Sequence, residues 1–122
     1  MEEKFFIYRI YNSSIAASAV NNLNTITIDN DADFIIQAIN GYIVTGTTDN
    51  KTKALIEIWT GSEKWMNGKC MFKDIVGTAE NPFYLPTPKK VPANTTVTVS
   101  IDNLDASNAV ILYLEFVGKK VR

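Results

Sequence analysis

Histidine is absent from the 122 residues, and cysteine occurs once, at Cys70. Without an imidazole the chain cannot assemble a Ser-His-Asp or Cys-His nucleophile pair by itself. One thiol and no imidazole leave zinc without its usual ligands. A lone cysteine closes no intrachain disulfide, and a free thiol suits a reducing compartment. Neither sign of charge is in excess. Twelve basic and thirteen acidic residues give a net charge of −1. That excludes the basic footprint of a nucleic-acid binder and the polybasic tract of a membrane-surface protein. No apolar run approaches the ~18–20 residues of a spanning helix. The N-terminus, Met-Glu-Glu-Lys-Phe-Phe-Ile, lacks the basic region of a secretory signal, so synthesis in a cytoplasm is expected. Helical patterning is also scarce: Ile15–Val20 is too short for more than one turn. Proline is rare and confined, all four lying between residues 82 and 92.

What is present is strand and turn chemistry. β-branched residues favour the pleated sheet, and asparagine favours turns. Val97, Val99 and Ile101 alternate with Thr96, Thr98, Ser100 and Asp102, the period-2 pattern of a half-buried strand. After a turn-rich gap, Val110, Leu112, Leu114 and Phe116 share one face, with Tyr113 and Glu115 on the other. These two strands form a hairpin or a corner between sheets. Lys4–Tyr11 alternates too: Phe6, Tyr8 and Ile10 on one face; Phe5, Ile7 and Arg9 on the other. Both of those faces are partly apolar, which suggests cover on two sides or a neighbouring subunit. Ile26 and Ile28 point inward from a further strand. Phe34–Val44 reads as a buried strand, bent or bulged near Asn40-Gly41. Ala54, Ile56 and Ile58 mark the inner face of another, opposite Leu55, Glu57 and Trp59. Asn67-Gly68 signals a small hairpin within residues 65–72. The proline stretch cannot be helix or central strand.

About seven or eight strands with regular turns predict an all-β fold, a single antiparallel β-sandwich of jelly-roll or related type. The hydrophobic fraction of 46% suits a chain that buries a core without disulfides or metal. One domain over residues 1–122 is expected, with 1–28 as an extra strand or an arm.

Several residue groups invite a chemical role. Asp29, Asp31 and Asp33 have the spacing that opens a calcium loop. Phe34 stands where that loop needs glycine and Asn40 where it needs glutamate, so a solvated turn is the simpler account. Glu57 and Glu115 sit mid-strand, and a paired-carboxylate hydrolase would need them together. Surface charge explains them more simply. Trp59, Trp65, Tyr42, Tyr84 and Tyr113 suit a sugar-stacking platform, a core or a protein interface. Asn12-Ser13-Ser14 and Asn94-Thr95-Thr96 match the glycosylation pattern, which chance explains in a chain this rich in Asn and Thr. No catalytic, cofactor or metal residues are assigned.

Asp29-Asn30-Asp31-Ala32-Asp33-Phe34 is followed by a Gly/Thr-rich loop, then Pro82-Phe83-Tyr84-Leu85-Pro86-Thr87-Pro88. Val91-Pro92-Ala93-Asn94-Thr95-Thr96, Asp102-Asn103-Leu104 and a strand ending at Gly118 complete the series. This order, over roughly residues 29–118, resembles small virion proteins of tailed bacteriophages, the β-sandwich accessory proteins of capsids. The resemblance implies a structural role in decorating or cementing the capsid, in a virion assembled in the host cytoplasm. It implies binding to the major capsid protein or other virion proteins, and a homo-oligomer, with no nucleic acid, membrane, cofactor or enzymatic activity. A head–tail connector or tail component, or a carbohydrate-binding module, is the alternative. Exposed-apolar logic places the interface at Phe5, Ile7, Trp65, Met71, Phe72, Phe83, Tyr84 and Leu85.

Overall fold

The computed structural model describes residues 2–122. In chain order the elements are β1 (Glu3–Ile15), β2 (Asn22–Thr27), β3 (Asp33–Thr45), β4 (Thr48–Asp49), β5 (Ala54–Thr60), β6 (Glu63–Lys64), β7 (Cys70–Met71), a one-turn helix α1 (Phe72–Ile75), β8 (Phe83–Val91), β9 (Thr96–Asn103) and β10 (Val110–Val121). Among the described residues there are ten strands where seven or eight are expected. The difference is β4, β6 and β7, two-residue strands too short to carry an alternation.

The strands form two antiparallel sheets. Sheet A runs β1-β10-β3, with β4 and β8 both bonded to the far side of β3. Sheet B runs β2-β9-β5, with β6 and β7 both on the far side of β5. β9 therefore lies in one sheet and β10 in the other, so the turn between them is a sheet-to-sheet corner, not a hairpin. Asn103 holds that corner. Its buried amide donates to the carbonyls of Ile15, Ala16 and Asn108 at 3.3, 3.1 and 3.0 Å, while its oxygen accepts from the N–H of Asp105 at 3.0 Å.

Alternation places the core. Val97, Val99 and Ile101 of β9 and Ala54, Ile56 and Ile58 of β5 face Val110, Leu112, Leu114 and Phe116 of β10, all fully buried. Each such side chain contributes roughly 1.5–3 kcal/mol relative to exposure, before conformational entropy is counted. β3 supplies Phe34 and Ile36, then Ile39 and Ile43. The change from even to odd numbers marks a bulge. Val117 pairs with Ala38 and Gly118 with Ile36, which leaves Gln37 without a partner. An extra residue resets which side chains point inward. The bulge is thus at Gln37, not at the expected Asn40-Gly41. Gly41 serves another purpose: a Cβ there would run into the Tyr113 carbonyl.

The proline stretch is an edge strand. β8 pairs with β3 at Phe83 and Tyr84 and again from Lys89 to Val91. Pro86 and Pro88 fall in the gap between, opposite Gln37, where no ladder N–H is required. The expected 65–72 hairpin is absent because β5 takes both flanks: β6 and β7 pair with β5 and not with each other.

Candidate functional site

The outer face of sheet A carries most of the exposed large apolar side chains. Phe5, Ile7, Arg9 and Tyr11 have the parity opposite to buried Tyr8 and Ile10, so they point away from the core. Register then builds rows across the sheet. Tyr11 lies opposite Tyr113, and Tyr113 opposite Tyr42. Arg9, Glu115 and Asn40 form the next row. Ile7, Val117, Ala38 and Tyr84 follow, then Phe5, Lys119, Ile35 and Lys90. Phe5 and Tyr84 are each 68% exposed.

The tyrosine row is ordered by ring contacts. The rings of Tyr11 and Tyr113 sit 5.1 Å apart in a tilted arrangement. The Arg9 guanidinium lies 5.6 Å from the Tyr11 ring, and the Lys51 ammonium 5.1 Å from that of Tyr42. Lys51 is held there by the Gly77 carbonyl, to which it donates at 3.2 Å. Cations thus frame both ends of the row. Arg9 and Glu115 face each other in register, yet neither takes part in an ion pair among the described residues. Between the rows lies a cleft of about 160 Å³. Tyr42 and Tyr113 bound one side, Arg9 and Glu115 the other, and Ala79 stands at the rim.

At one end of the sandwich Lys120 continues the inward parity of β10. Its ammonium is 3.0 Å from Asp29, 3.1 Å from Asp31 and 4.1 Å from the Phe6 ring centroid. Burial pulls this ammonium toward neutrality, but the hydrogen bonds to Asp29 and Asp31 outweigh it, and its pKa stands above the ordinary lysine value. The same hydrogen bond holds the Asp31 carboxyl below its ordinary range. Tyr8 lies beside this pair. Burial raises its phenol, whose oxygen accepts the Asp29 N–H at 3.0 Å. Asp33 accepts the N–H of Ala93 at 2.9 Å. Arg122 adds a second cation to Asp31 at 3.1 Å and Lys90 lies 3.5 Å from Asp33, so the acidic turn is engaged by three cations and a backbone N–H, and the open hollow beside it has no charged wall beyond Asp29 and Asp31.

The eight expected interface residues separate into groups. Phe5, Ile7 and Tyr84 come together on the outer face of sheet A. Phe83 and Leu85 flank Tyr84 with opposite parity and are half-buried, Leu85 against the core. Trp65 is half-buried at the mouth of the sandwich, edge-on to Phe116 at 6.3 Å, with its indole N–H donating to Thr60 at 3.3 Å. Met71 is half-buried on β7, opposite Leu55. Phe72 is fully buried and has no surface to offer. The short helix turns its ring inward, a placement that the aperiodic 65–72 stretch does not signal. The five-aromatic platform also divides. Tyr42, Tyr84 and Tyr113 share sheet A's outer face, Trp59 lies opposite Thr98 on sheet B, and Trp65 packs inward. Glu57 and Glu115 occupy outer faces of different sheets, so they cannot act as a carboxylate pair. Tyr11 joins this face without being among the eight expected residues, although it shares the parity of Phe5 and Ile7.

No protein-family model matches the chain, and no curated protein is significantly similar to it.

Proposed function

We propose that this protein is a non-catalytic docking module, an accessory structural protein of a tailed-phage virion. Its outer sheet A face lies against the major capsid protein or another virion protein. The observation that carries this reading is the set of exposed apolar side chains Phe5, Ile7 and Tyr84 around half-buried Val117, with the tyrosine row beyond the Arg9–Glu115 row on the same face. Apolar and aromatic side chains gathered on one face, with few charged residues among them, match the composition of interfaces. The sheet backbone holds them in fixed positions, which limits the freedom lost on binding. A connector or tail position would use the same face. Many copies on a symmetric shell hold through avidity, so each contact needs only modest affinity. The test is quantitative peptide mass spectrometry of purified particles of the phage that encodes the chain. A fixed multiple of the chain per major capsid protein is expected; its absence from the particles would overturn the proposal.

A second reading is favoured by the cleft between Tyr42, Tyr113, Arg9 and Glu115. Two aromatic rings beside an unpaired acid and guanidinium suit one pyranose ring, which stacks its C–H face and offers hydroxyls to both charges. A glycan array probed with the wild type and with Tyr113→Ala separates the two: glycan binding lost in the variant supports this reading, and no binding removes it.

A further inference from the structure

We propose that β1 pairs edge to edge with β1 of a second copy, antiparallel, about a two-fold axis through Phe6. Sheet A has two edges, and the chain treats them differently. The β8 edge carries Pro86 and Pro88 and departs from the ladder from Leu85 to Pro88. The β1 edge carries no proline and pairs with β10 without interruption from Glu3 to Asn12. Among the described residues, none of the backbone groups from Glu3 to Ser14 bonds to main chain outside the β10 ladder. The far end of β1 is occupied: the Asn12 amide donates to Asn22 at 3.3 Å and to Asn24 at 2.8 Å, clipping β1 to β2. Glu3–Tyr11 is left as a long open edge, which is a template for another strand.

The sequence of that edge selects both its partner and its register. Antiparallel pairing about a two-fold axis keeps like faces together only when paired residue numbers sum to an even value. A sum of 12 puts Glu3 opposite Arg9 of the second copy, twice by symmetry, and Phe5 opposite Ile7, also twice. Arg9, which has no ion-pair partner among the described residues of its own chain, gains one. Glu3 is already held by Lys119 at 3.0 Å, so the contact extends an existing pair. Phe5, 68% exposed, gains an apolar neighbour. A sum of 14 instead sets Phe5 against Arg9 and leaves Glu3 facing Tyr11, so the charges miss each other. The pairing is independent of what the outer face docks against. It continues sheet A across the axis and joins the two outer faces into one.

Light scattering tests association, and disulfide trapping tests register. At concentrations of about 100 µM, a mass twice the 13.6 kDa of the chain is expected; a monomer there overturns the proposal. Arg9→Glu sets acid against acid at two symmetric sites and is expected to weaken association about tenfold. The double variant Glu3→Arg/Arg9→Glu restores it. Wild-type association in Arg9→Glu overturns the register. In a Cys70→Ser background, Phe5→Cys chains mixed with Ile7→Cys chains are expected to cross-link on oxidation, and neither is expected to do so alone. Cross-linking of Ile7→Cys chains by themselves would place the axis at Ile7 and overturn the proposal. Circular dichroism of each variant confirms that it is folded.

Discussion

Replacing Phe72 with alanine removes the ring that closes the core beneath α1. The site is fully buried, and the turn above it is held by the Val76 N–H donating to the Phe72 carbonyl at 3.1 Å. Truncating a buried phenylalanine costs roughly 3–5 kcal/mol, the lost transfer energy plus the cavity left behind. Total stability for a domain of this size is about 5–15 kcal/mol, so the loss takes a large share of it. The folded-to-unfolded ratio should fall by about two to four decades, and the melting temperature by about 10–20 °C. Phe5 supplies an internal control: the same residue type, 68% exposed. Phe5→Ala should stay within about 0.5 kcal/mol of wild type when the chain is dilute enough to be monomeric. The assay is a urea titration followed by tryptophan fluorescence, since Trp65 sits edge-on to Phe116 and reports the core directly. Equal slopes against urea are required before the midpoints are compared. A Phe72→Ala loss under about 1 kcal/mol, or a Phe5→Ala loss of equal size, would refute the assignment of core and surface.

Other outcomes follow from the same packing. Gly118→Ala drives a Cβ into the Ile35 carbonyl and should cost about 1–3 kcal/mol or more by urea titration, whereas Gly68→Ala enters open space and should be close to neutral. Stability should decline on both sides of neutral pH. Asp31, held low by Lys120, and Asp105, held low by the Ser107 N–H, contribute stability above the ordinary carboxylate range; it is lost as pH falls through their lower folded values. Lys120 and Tyr8 are raised, so their contribution is complete below about pH 10 and is lost as pH rises through the folded values. Melting temperatures across pH check both limbs. Lys120→Met should flatten the alkaline limb and return the Asp31 carboxyl toward its ordinary value, visible as a shift in its NMR titration midpoint.

Much of this fold is legible in the alternation of single strands. The inner faces of β1, β5, β9 and β10 follow directly from period 2, because in each the apolar side chains alternate onto the core; the polar face of β9 is also covered at Ser100 and Asp102. Pairing is less legible. Nothing local tells β9 and β10 that they belong to different sheets; that depends on which partners satisfy each backbone. The Gln37 bulge also hides, since a residue left unpaired by two neighbours carries no signature of its own. Prolines obscure β8, whose middle leaves the ladder where the prolines stand. Lys120 shows the reverse case. Its parity with Leu112, Leu114 and Phe116 points inward, and Asp29 and Asp31 supply the countercharge that makes burial tolerable. The outer face was half legible. Phe5, Ile7 and Tyr84 stand out as apolar residues at exposed parity, but the tyrosine row exists only through the register of three strands distant in sequence.

On the reading proposed above, the outer face of sheet A docks this protein onto a larger particle. The most direct test adds purified chain to particles grown without it and measures copies bound at saturation. Phe5→Ser/Tyr84→Ser removes the two most exposed rings of that face. Leu23→Ser, on β2 in the other sheet and 64% exposed, controls for loss of surface apolarity in general. Saturation at a fixed copy number is expected for the wild type and Leu23→Ser, and little or no binding for the double variant. Equal binding by the double variant, or loss of binding in Leu23→Ser alone, would contradict it.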